Sequence, residues 1–178
     1  MKRVPSYFYV GSQAIRKKVD PKYEGHKIKN AEAVKKWINE TNQELIHESV
    51  IATFIINEQS DLVISDRHSE HVMCAGGRNV LSAGEITFSF ENGKIFISEI
   101  SNQSTGYCPR PASWEIVAIV LDQTDLEYPQ SFTKAFEFRY CENCHATNLI
   151  KEEIYECVLC GTDLDAEWNF HKKKVVES

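Results

Sequence analysis

Four cysteines near the C-terminus constrain this chain more than any other feature: Cys141 and Cys144 form one C-x-x-C pair and Cys157 and Cys160 a second, with twelve residues between the pairs. Both sulfurs of a C-x-x-C turn can face one ion, so two such turns on adjacent hairpins supply a tetrahedral four-sulfur site. The spacing predicts a zinc ribbon with Cys141, Cys144, Cys157 and Cys160 as ligands to a structural Zn²⁺. A rubredoxin-like iron site or a redox dithiol uses the same knuckles and stays open on spacing alone. Four thiolates leave no position for substrate or water, so the motif speaks to folding rather than to chemistry. Gly161 after Cys160 suits the tight turn that solvates thiolates; His145 holds the matching place after Cys144 and falls outside the ligand set.

Two disulfides would require an oxidising compartment. The chain opens Met1, Lys2, Arg3 without an apolar leader, and no run approaches the length of a membrane span, so a cytoplasmic location with no membrane partner is expected. With 178 residues the chain can bury one main core plus a metal-stapled appendage. Charge is unevenly spread. Residues 1–36 hold ten Lys and Arg against three acids, and the remainder ten against twenty-three. The basic stretch 2–36 is a candidate surface for nucleic-acid phosphate or an acidic partner, weighed against a solvated face that pairs with the protein's own acids.

Hydrophobic periodicity places the elements. Residues 5–11 read as a short aromatic strand, and a helix follows Asn30 as N-cap with Val34, Trp37, Ile38, Thr41 and Leu45 on one face. Residues 50–57 and 61–66 read as a β-hairpin; residues 85–90 and 94–100 form a second, joined through Asn92-Gly93, the signature of a type I′ turn. A helix from Pro111 to about Asp122 carries Trp114, Val117, Ala118 and Leu121. Residues 132–140 read as a strand running into Cys141, Trp168 and Phe170 as an aromatic clasp back onto the body, and residues 171–178 as a loose tail.

The fold class expected is therefore α+β: a small antiparallel sheet or barrel, two main packed helices and the C-terminal ribbon. Its segments are 1–49 (basic strand, loop and helix), 50–135 (β-rich core), 136–170 (ribbon and clasp) and 171–178 (tail).

Polar detail concentrates between the hairpins. His71, Glu85 and Tyr107 are the candidate general acid–base groups, with Gly76, Gly77, Arg78 and Ser104 as candidate ligand-binding residues and Ser82, Cys74 and Cys108 nearby. A Gly-Gly-Arg turn can hold an anion with backbone amides and a guanidinium. The plainer alternative is that the glycines serve bulges and tight turns. A deaminase pattern starting at His68 and Glu70 lacks its second cysteine after Cys108, and no phosphate-binding or nucleophile-elbow motif is present.

The run from His71 through Gly76, Gly77, Gly84, Glu85, Asn92, Gly93, Ser104, Tyr107 and Pro109 resembles a segment of the plant IQ-motif calmodulin-binding proteins and of bacterial toxin- or effector-like relatives. Residues 70–73 depart from that pattern, and Gly106 stands where it has a histidine. No IQ repeat is present, so calmodulin is not an expected partner. The whole chain looks most like an uncharacterised bacterial family with a terminal ribbon; the resemblance implies a β-rich domain and no reaction. Two functions follow as expectations: a zinc-binding module for a small ligand or a protein or nucleic-acid partner, or a small toxin- or effector-like enzyme acting through His71, Glu85 and Tyr107.

Overall fold

The computed structural model describes residues 3–176. Its centre is a five-stranded antiparallel sheet made of β1 (His26–Lys27), β2 (Ser49–Asn57), β3 (Leu62–Asp66), β4 (Val80–Glu91) and β5 (Lys94–Ile100), in the order β1-β3-β2-β4-β5. The sheet is open: its edges, β1 and β5, do not meet, so the barrel alternative is not realised. Closure is unnecessary because other elements cover both faces. On one face Phe54, Ile56, Ile64, Ile86 and Phe88 pack with α2 (Ala31–Glu40) and α4 (Trp114–Leu121), the two main helices. On the other, Ile55, Val63 and Ala83 lie under Tyr7, Tyr9, Tyr107 and α3 (His71–Cys74), with Ile15 of the short α1 (Gln13–Arg16) packed against the same cluster. A strand buried on both faces reads as a continuous apolar run, which accounts for the composition of β2.

Local chemistry sets the turns. Asn92 and Gly93 have φ of 51° and 78°, and Glu91 pairs with Lys94, the two-residue loop of a type I′ hairpin. Between β2 and β3 the Asn57 side-chain oxygen accepts from the amides of Gln59 and Asp61 at 3.1 and 2.9 Å. Asn30 caps α2 through the Ala33 amide at 2.9 Å. That helix is shorter than its apolar stripe: Asn42, with φ of 54°, ends it, and Leu45 is exposed beyond the end.

Three further expectations change. Residues 5–11 pair with the sheet only through Tyr7, which bridges Val80; the Val10 amide turns instead to the Gly106 carbonyl at 2.7 Å. The strand before the ribbon, β6, spans only Glu137–Tyr140, and its partner is β7 (Thr147–Ile150). Upstream, the Phe136 amide donates to the Asn102 side chain at 2.7 Å, so a side chain replaces the ladder there. The segment read as a tail begins with a helix, α5 (His171–Val176), where Lys172 pairs with Asp165 at 2.8 Å and Glu142 at 3.1 Å; residues 177–178 lie outside the described residues. Two acids facing one lysine give this basic stretch a docking point that its composition does not reveal. Trp168, which follows the ribbon, donates from its indole to the Cys108 carbonyl at 2.8 Å and meets Tyr7 edge-on.

Gly84 marks the tightest approach. A Cβ there would sit 1.9 Å from the Ser101 carbonyl oxygen, because β4 and the 101–102 segment touch backbone to backbone. Replacing Gly84 with Ala should therefore destabilise the chain by ~3 kcal/mol, the scale of an overpacked core, read as a lower urea midpoint at unchanged slope.

Candidate functional site

The ribbon repeats one turn twice. The Cys141 amide donates to the Ala146 carbonyl and the His145 amide to the Cys141 carbonyl, at 2.9 and 2.8 Å. In the second knuckle Cys157 donates to Thr162 and Gly161 to Cys157, at 2.8 and 2.9 Å. His145 and Gly161 both take the left-handed conformation, φ 68° and 74°. The matching places thus do the same backbone work, while the His145 ring is stacked on Tyr140 with Nδ1 at its hydroxyl, apart from the ligand set.

The four sulfurs of Cys141, Cys144, Cys157 and Cys160 lie within 4.8 Å of one another, with Cys141 to Cys160 at 3.6 Å and Cys144 to Cys157 at 3.5 Å. These separations far exceed a disulfide bond of about 2.05 Å. They approach the edge of about 3.8 Å that a tetrahedron with zinc–sulfur bonds of about 2.3 Å requires. Four clustered cysteines thus form a site compatible with zinc.

The surroundings of Cys157 and Cys160 suit thiolates. The Asn143 side-chain amide reaches Cys160 Sγ at 3.4 Å, and the Thr162 hydroxyl lies 3.2 Å from it; these contacts draw the Cys160 thiol down to about 5. The Cys160 amide and the Asn148 side chain lower Cys157. Bound there, zinc would supply a structural crosslink held by Cys141, Cys144, Cys157 and Cys160.

The central residues form a different arrangement. His71 opens α3, and its Nε2 lies 2.8 Å from the Gly84 carbonyl. A carbonyl only accepts, so Nε2 carries the proton. The enclosed ring is held neutral, its protonation pushed down to about 4 chiefly by burial. Tyr107 is buried, donates from its hydroxyl to the Arg78 carbonyl at 2.6 Å, and burial raises its ionisation. Ser104 accepts from the Tyr107 amide at 3.2 Å, and Ser82 shares a 2.9 Å bond with Ser113.

Gly76 and Gly77 have φ of 61° and 80° and donate to Met73 and Val72, which ends α3 and uses the amides that an anion would need. The Arg78 guanidinium reaches the Pro21 and Ala75 carbonyls at 2.9 and 3.3 Å. Glu85 lies on β4 opposite Thr53, half-buried and in no ion pair among the described residues. Burial pushes Cys74 up to about 12 and raises Cys108 further, so neither thiol is poised as a nucleophile. The fold therefore gathers Tyr107 with Arg78 and His71 with the β4 backbone, and engages their polar atoms with main chain.

Sequence reasoning passed over two surfaces. A cleft of about 380 Å³ lies among residues 3–7, the start of β4 and the start of α4; its walls include Val4, Leu81, Ile116 and Ile119, and Arg3, Arg110 and Glu115 also line it. The second surface is the knuckle tip, where Val158 and Leu159 are 81 % and 77 % exposed. The Val-Leu pair inside the second C-x-x-C, against Glu-Asn inside the first, was its visible signal.

Among known proteins, the chain matches no family model, no curated protein and no solved structure.

Replacing Cys157 with Ser should reduce bound zinc below one ion per chain and lower the melting temperature while the far-ultraviolet signature of the sheet persists. Unchanged zinc content and melting temperature would remove the metal site. His71 provides a second test. Its proton binding falls from 6.5 in the unfolded chain to about 4 when folded, so its contribution is intact above pH 6.5 and is lost as pH falls towards 4. Such a difference corresponds to at most ~3 kcal/mol, and the partial exposure of the residue reduces it. His71→Gln should flatten that acid limb in urea titrations; the wild-type minus variant difference cancels acid loss of metal.

Proposed function

We propose that this chain is a non-catalytic docking module whose zinc-stapled ribbon presents an apolar tip to a basic protein segment. The observation that carries the reading is the exposure of Val158 and Leu159, joined by Ile154 at 59 %, on a knuckle whose backbone the metal would hold rigid. Large apolar side chains left in water on a rigid turn suit partner anchoring. Charge selects the partner. Residues 141–167 carry seven acids against the single Lys151, with Glu152, Glu153, Glu156 and Asp163 around the tip in sequence, and four thiolates on zinc add two further negative charges.

This field repels nucleic-acid phosphate and favours Lys- or Arg-rich segments with apolar anchors. The basic stretch 2–36 gives weaker support to a nucleic-acid reading: Lys27, Lys35 and Lys36 pair with Asp61, Glu32 and Glu40, and Lys2 lies outside the described residues. The enzymatic reading through His71, Glu85 and Tyr107 gains nothing from the bonding, since His71 and Tyr107 serve main-chain carbonyls.

Peptide display on the zinc-loaded chain tests this reading. Wild type should enrich peptides that combine Lys or Arg with Leu or Phe, with affinity falling as salt rises. A Val158→Ser, Leu159→Ser double variant should keep its zinc and melting temperature and lose at least tenfold in affinity. Enrichment of acidic peptides, or equal binding by the variant, would sink it.

A further inference from the structure

We infer that the cleft between residues 3–7 and the start of α4 binds a small carboxylic acid with an apolar body. The inference is independent of the ribbon. Two unexplained exposures motivate it. Val4 is 42 % exposed and Ile119 50 % exposed, and both line this cleft. On α4 the neighbours Ile116, Val117, Val120 and Leu121 are buried in the core, which leaves Ile119 as the apolar residue turned away from it. With Pro5, Leu81 and Ala112 these side chains make an apolar wall around about 380 Å³, within the range of small-molecule sites.

Charge then fixes the head group. Arg3 and Arg110 line the same cleft, and neither forms an ion pair among the described residues. Arg110 is pre-positioned: its guanidinium lies 4.7 Å from the Trp168 ring centre, and its backbone amide donates to the Tyr7 hydroxyl at 3.3 Å. A guanidinium held over an aromatic ring, and engaged in no ion pair, can still meet a planar carboxylate with two parallel bonds. Glu115 is the third charged group of the lining. Two guanidiniums and one carboxylate sum to a single positive charge, which matches a monoanion better than a phosphate or polyanion. The ligand class is therefore a monocarboxylate with a compact hydrocarbon body, its head at Arg3 and Arg110 and its body against Ile119, Val4 and Leu81.

Calorimetry and methyl NMR on the full zinc-loaded chain test the assignment with decanoate, decanol, decyl phosphate and acetate. Decanoate should bind one-to-one and move the Ile119 and Leu81 methyl signals; decanol should bind at least tenfold more weakly, and acetate should not bind. Ile119→Asp and Arg3→Ala, both at exposed positions, should each weaken decanoate at least fivefold at unchanged melting temperature. The Val158→Ser, Leu159→Ser variant should bind decanoate as wild type does, which separates this site from the ribbon. Absence of decanoate binding would overturn the inference, as would equal affinity for decanol or indifference to both cleft variants. Tighter binding of decyl phosphate would overturn the head-group assignment.

Discussion

Two buried asparagines hold residues 136–140 from opposite ends, and the joining of sheet to ribbon depends on them. Asn102 accepts from the Phe136 amide and donates to the Phe136 and Pro109 carbonyls; Asn169 accepts from the Tyr140 amide and donates to the Tyr140 carbonyl. Each amide side chain offers the donor and acceptor that a neighbouring strand would supply, so the backbone is satisfied where no strand continues. Burial makes these bonds costly to break, since an unpaired amide has no water to replace its partner. Arg139 adds a third tie, its buried guanidinium reaching the Asp165 and Ala166 carbonyls. The ribbon is consequently packed against the core through Val10, Cys108, Phe138 and Phe170 rather than tethered by a linker.

The sheet imposes a second constraint. With helices on one face, its other face still carries Ile55, Val63 and Ala83, which must be buried by something. Short α3, the residues around Tyr7 and Tyr9, and the loop carrying Tyr107 provide that cover. Loops over a buried surface bring main-chain carbonyls with them, and each needs a donor. The Tyr107 hydroxyl meets that need at the Arg78 carbonyl, and His71 Nε2 ties short α3 to the Gly84 carbonyl of β4. His71 and Tyr107, candidate acid–base groups in the sequence, thus also carry the hydrogen bonding of an irregular layer.

This explains which parts were legible in the sequence. The Asn92-Gly93 hairpin, the cap at Asn30 and the paired cysteine turns depend on neighbours a few residues away, and their residue types carry the backbone conformation directly. The end of α2 was missed because the stripe through Leu45 suggested continuation, whereas Asn42 in the left-handed region decides the matter locally. The roles of Tyr107 and Arg78 were not legible, since their bond spans residues whose proximity exists only after β4 has formed. The cleft was harder still: Arg3 and Arg110 line one space because Tyr7 bridges Val80 while Trp168 lies at the Arg110 guanidinium, contacts drawn from four distant stretches of chain.

Rigid coupling of ribbon and core has a consequence for recognition. The clasp residue Trp168 touches Phe170 of the ribbon-side cluster, Tyr7 beneath the cleft and Arg110 at its rim. Its indole also donates to Cys108, so its position is set by the core and not by solvent. The acidic tip and the arginine-lined cleft are thereby carried on one body, with the same indole bracing the base of the first and the charge of the second. Between the knuckles and the cleft, Asn169 ties residues 165–170 to the Tyr140 backbone, and Trp168 lies at the Arg110 guanidinium.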